Sequence, residues 1–82
     1  MRPGDLRWFG TNTANGLIQF RTNELGDTTQ RYVELPSCGW LTVLAIVKPT
    51  NTKFQPMHLD TVFLYHGQLC RATLGWLGQF IR

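Results

Sequence analysis

Residues 61–82 read TVFLYHGQLCRATLGWLGQFIR, and this stretch decides the fold class. Its first part is rich in β-branched and aromatic residues, which suit a pleated, half-buried surface. His66-Gly67 then predicts a two-residue hairpin loop, which pairs Tyr65 with Gln68, Leu64 with Leu69 and Phe63 with Cys70. Gly75-Trp76 predicts a tight corner, and the residues after it a short closing strand. A hairpin, a corner and a closing strand form the usual last section of a small all-β barrel.

The remainder of the chain agrees with that class. No apolar spacing of 3.6 residues persists over three turns, and short β-rich runs alternate with Gly, Pro, Asn, Asp and Thr clusters. Pro3-Gly4-Asp5 predicts a turn, with Asp5 accepting from local backbone N–H groups, and residues 6–9 a first strand. Residues 10–16 form a glycine-bounded polar loop that ends in the turn signal Asn15-Gly16. Residues 17–21 and 28–35 predict two further strands around a turn centred on Gly26-Asp27. After the break at residues 36–39, residues 40–47 are the strongest strand, apolar throughout except Thr42, and are expected to be central and buried on both faces. Pro49 ends it, and residues 50–56 form a polar loop.

With 82 residues the chain is expected to form one domain, residues 1–82, with a small core that relies on aromatic packing or on oligomerisation. Three tryptophans and five phenylalanines supply that core, and Trp40 and Trp76 are expected within it. Cys38 and Cys70 are too few for a disulfide framework and read as free, buried thiols, with a single bridge between them left open. No stretch approaches the roughly 20 apolar residues of a membrane span. The expectation is a soluble protein without membrane contact, cytoplasmic or assembled into a particle. The formal charge of +3 is spread over basic residues that never form a run.

Two stretches carry a family resemblance. Met1-Arg2-Pro3-Gly4-Asp5-Leu6 resembles the Met-Lys-Pro-Gly-Asp-Leu opening of many small barrels of the Src-homology-3-like (SH3-like) type found among tailed-bacteriophage proteins. Residues 62–67 with Trp76-Leu77 and Phe80-Ile81 resemble their apolar strand, glycine turn and closing corner. The resemblance implies an all-β fold, a small SH3-like barrel of five to six strands, and a bacteriophage origin. Residues 10–35 exceed what a minimal barrel needs and are expected to be a long N-terminal hairpin-like insertion. The resemblance implies no shared active site.

The residue patterns offer little chemistry. His58 and Asp60 share a face if they lie on one strand, yet a side-chain metal site needs at least three converging ligands, and His66 reads as an exposed turn residue. Cys70 fits a packed small hydrophobe better than a thiol nucleophile, which needs an electropositive, accessible setting. The loop of residues 10–16 lacks the Lys-Ser/Thr and the helix of a phosphate cradle. No catalytic residue, metal or cofactor is therefore expected.

Three functions follow as expectations. The first is a non-catalytic protein-interaction or structural module acting through an aromatic barrel face or a strand edge. The hairpin is apolar on both faces, so a protein partner or a homo-oligomer would cover one of them; the residues expected to do so are Arg7, Trp8, Phe63 and Tyr65. The second is a nucleic-acid-binding barrel, which needs Arg7, Arg21, Arg31 and Arg71 to converge on one face. The third is a small oligomeric enzyme with a site shared between subunits. Some plasmid-borne dihydrofolate reductases are barrels of this class, but Val62-Phe63-Leu64-Tyr65 is only a faint echo of their Val-Gln-Ile-Tyr motif.

Overall fold

The structure is a computed structural model, which describes residues 1–12, 16–22, 31–48 and 59–82. Among the described residues, six antiparallel strands form one sheet: β1 (Leu6–Gly10), β2 (Leu17–Thr22), β3 (Tyr32–Pro36), β4 (Cys38–Val47), β5 (Asp60–Tyr65) and β6 (Gln68–Thr73). The hydrogen-bonded order is β1-β4-β5-β6-β2-β3. The sheet is strongly curled but does not close. Only Ser37 separates β3, at one edge, from β4, next to the other edge, so the chain must turn a sharp corner there. The Thr11 N–H donates to Ser37 O at 3.1 Å and the Ser37 N–H to Gly16 O at 2.8 Å, which ties the two edges together at that corner.

The terminal hairpin has the predicted register: Tyr65 opposes Gln68, Leu64 opposes Leu69 and Phe63 opposes Cys70. His66 and Gly67 have φ of 48° and 74°, the left-handed pair that a two-residue turn matched to strand twist requires. The Pro3-Gly4 turn is also present. Gly4 has φ of 92°, the Asp5 N–H donates to Arg2 O, and the Arg2 N–H donates to Asp5 Oδ2 at 3.0 Å. That backbone donor, with the Arg7 guanidinium beside it, holds the Asp5 carboxyl below its ordinary range.

Of the expected insertion, residues 10–35, the described strands β2 and β3 pair with each other and β2 pairs with β6, so these two strands extend the main sheet. Gly26-Asp27, Asn15, His58, Pro49 and residues 50–56 lie outside the described residues. Three expectations are corrected. Leu74–Gly78 form a single helical turn, α1, where a corner was expected, and in place of a closing strand only Ile81 bridges to Phe9. Leu77 and Phe80 follow Leu74 at helical spacing, and Leu77 is wholly buried, so the turn plugs an end of the curl. Second, β4 is buried on one face only. The sheet is a single layer and its sides alternate, so Leu41 and Val43 reach the core while Trp40 remains 59% exposed. Third, Cys38 is exposed, on the same outward alternation as Trp40; Cys70 is buried, and both thiols are free.

The core is aromatic. Phe9, Phe20, Phe63 and Tyr65 make successive edge-to-face contacts with ring centroids 5.3–6.4 Å apart, and Trp76 joins them through Phe9 and Phe20. The Tyr65 hydroxyl donates to Pro36 O. Among the described residues no helix is long and apolar enough to cross a membrane.

Burial pushes the Cys70 thiol up from 9.0 to about 11 and, with the nearby cysteines contributing, the Tyr65 phenol from 10.0 to about 12. Both groups are neutral in the fold, so their contribution is complete below pH 9 and is lost as pH rises towards 12. Each rise is equivalent to roughly 2–3 kcal/mol. The urea midpoint should therefore fall steeply over that interval, and Cys70→Ala should remove the lower part of the fall. A midpoint that stays level through the interval would show that the two groups ionise without unfolding.

Candidate interaction face

The outer surface of β1, β4 and β5 is built by strand alternation. Leu6 and Trp8 point away from the core on β1, Trp40 and Thr42 on β4, and Leu64 on β5. Register places Leu6, Thr42, Leu64 and Leu69 in one row across four strands. Trp8 lies opposite Trp40 in a parallel row, with centroids 5.3 Å apart at 77°. A bulge at Leu44 adds another exposed leucine. Leu6 is 61% exposed, the highest value among the described large apolar residues. The face carries no formally charged side chain at these positions. Single exposed apolar residues are ordinary on a protein surface, but a contiguous group of this size marks a contact site.

His66 covers the start of β4. The ring's Nε2 lies 2.9 Å from Cys38 O and the imidazole covers Gly39, where a Cβ would collide with it. Trp8 also lines a cleft of about 700 Å³ with Cys38, Trp76 and Phe80, so the flat face runs into a recess beside the β1 edge.

The site residues expected from sequence divide. Trp8 is on the exposed face, at its β1 edge opposite Trp40. Arg7 is on the opposite alternation of β1 and pairs with Asp5 at 3.3 Å. Phe63 and Tyr65 are completely buried, and this corrects their assignment to a partner: of the two apolar hairpin faces, theirs is the one the core covers. Leu6, Trp40, Leu44 and Leu64 were not singled out. The usable signal was period two in β4, since neighbours such as Trp40 and Leu41 cannot both reach one core.

Arg21 and Arg71 are register partners on β2 and β6, and both bind the buried Asp60, at 3.3 and 2.6 Å. Arg31 sits immediately before β3, where its carbonyl accepts from the Thr22 N–H. Arg7 is held by a different carboxylate, so the four arginines do not make one cluster. Asp60 balances the two guanidiniums of Arg21 and Arg71. Cys70, with its thiol held neutral, is the opposite of an activated nucleophile. Among the described residues no three His, Cys, Asp or Glu side chains converge on a point.

No family model, curated protein or solved structure matches this chain.

Proposed function

We propose that this protein is a non-catalytic interaction module that seats a protein partner, another molecule or a second copy of itself, on the outer face of β1, β4 and β5. The observation that carries this reading is the uncharged, contiguous group of Leu6, Trp8, Trp40, Leu44 and Leu64, all exposed on adjoining strands. Covering them removes apolar area from water, and the paired tryptophans are the residue type that dominates such contacts. The curled six-strand sheet, cornered at Ser37, supports the finer reading of a small SH3-like barrel, and the resemblance of its opening and closing stretches supports a phage relationship.

A photo-crosslinking residue at position 40, compared with one at the exposed Glu34 of β3, tests the face in producing cells. Discrete adducts are expected from position 40 alone. With the partner identified from the adduct and then purified, Trp8→Ala and Trp40→Ala in the otherwise unaltered chain should each weaken non-covalent association by more than about 1 kcal/mol while leaving thermal unfolding nearly unchanged. Equal labelling from both positions, or full affinity in both alanine variants, would dismiss this surface as the binding site.

A further inference from the structure

Strands β2 and β6 pair only at Arg21–Arg71 and Thr22–Cys70. Continued register would set Phe20 opposite Ala72 and Gln19 opposite Thr73, but there the strands separate. A cleft of about 350 Å³ opens in the gap, lined by those four residues with Arg21, Arg71, Tyr32 and Trp76. Its volume is at the small end of ligand sites. The half-buried Trp76, its ring centroid 5.9 Å from that of the buried Phe20, gives it an apolar wall, and the exposed Tyr32 stands at its mouth.

The two arginines close one end of the gap. Asp60 binds both but does not line the cleft. It therefore fixes the guanidiniums from outside and leaves the trio with one net positive charge. Each guanidinium has five N–H donors; Asp60 and Lys48 O engage one nitrogen of Arg21 and two of Arg71. Donors held in place before a ligand arrives lose little entropy on binding, and their fork matches the two oxygens of a carboxylate.

We propose that this cleft binds a small aromatic monocarboxylate, with its carboxylate on Arg21 and Arg71 and its ring against Trp76. One net charge selects a monoanion, the apolar wall selects an apolar body, and the volume limits its size. The cleft lies apart from the β1–β4–β5 face, so this proposal stands or falls independently of the interaction reading.

The test is nuclear magnetic resonance titration of the full chain with benzoate, benzamide and inorganic phosphate. Benzoate should give saturable shifts in the Trp76 indole and in the Arg21 and Arg71 side-chain signals. Benzamide and phosphate should each bind about tenfold more weakly or less, because one lacks the charge and the other the ring. Arg21→Gln, which leaves the Arg71–Asp60 pair, should weaken benzoate about tenfold. Gln19→Trp, a change at an exposed position on the cleft wall, should block binding with both arginines intact, and so serves if Arg21→Gln folds poorly. Equal binding of benzamide or phosphate, non-saturating shifts, or undiminished benzoate binding by Gln19→Trp would overturn the proposal.

Discussion

Phe20→Ala is expected to lower the free energy of unfolding by about 3–5 kcal/mol. Phe20 is 2% exposed, and its ring meets Phe9, Phe63, Tyr65 and Trp76, all with centroids within 6 Å. Removing it subtracts the ring's transfer energy and leaves a cavity among four large rings that cannot collapse together, since they are carried by β1, β5 and α1. A domain of this size has a total stability of only about 4–12 kcal/mol. The variant should therefore unfold at markedly lower urea concentration with the same slope, or be largely unfolded at room temperature. Phe20→Leu, which keeps most of the volume, should recover much of the loss. A midpoint that moves little in Phe20→Ala would mean that the β2–β3 hairpin contributes little to the core, and that β1, β4, β5 and β6 hold the fold without it.

Asp60→Ala is the second large effect, expected at about 3–5 kcal/mol. The carboxylate is almost wholly buried between Arg21 and Arg71, whose side chains are only 26% and 17% exposed. Without it two partly buried guanidiniums face each other with no counter-charge. Most of the loss arises from that unpaired state and less from the net worth of the ion pairs. Two comparisons separate these terms. Asp60→Asn keeps the shape and removes the charge, and should be nearly as damaging. Asp60→Ala combined with Arg21→Gln and Arg71→Met should be milder than Asp60→Ala alone, because no charge is then stranded. If the triple variant is the least stable, the trio is a net source of stability and its hydrogen bonds outweigh the desolvation of three charges. Because Arg21–Asp60 joins β2 to β5 across β6, this ion pair is expected to help retain β2, which has only two paired positions with β6.

The hairpin of β5 and β6 was legible down to its register because its information is local: His66-Gly67 is one of few pairs that take two positive φ angles in succession, and that turn sets every pairing after it. The Pro3-Gly4-Asp5 turn and its carboxylate acceptor were legible for the same reason. Trp40 was not. Strand composition reports that a run is apolar; it does not report how many layers will cover it, and in this chain one layer covers one side. Phe63 and Tyr65 against Leu64 shows the same limit. Period two separates them into two faces, but which face goes inside depends on where Phe9, Phe20 and Leu77 arrive from distant parts of the chain. Asp60 was invisible as an ion-pair centre because its partners lie 39 and 11 residues away and are brought to it only by the order β5-β6-β2.

The sequence by itself thus determined an all-β chain, its turn positions and the pairing within its local hairpin, since those follow from backbone sterics and side-chain alternation over a few residues. The tertiary structure alone decided the order of the strands, the choice of inner and outer face, the exposure of Leu6, Trp8, Trp40 and Leu64, and the cleft where β2 leaves β6. These depend on contacts between residues far apart in the chain, for which burial of one shared aromatic core selects among arrangements that local preferences leave equal.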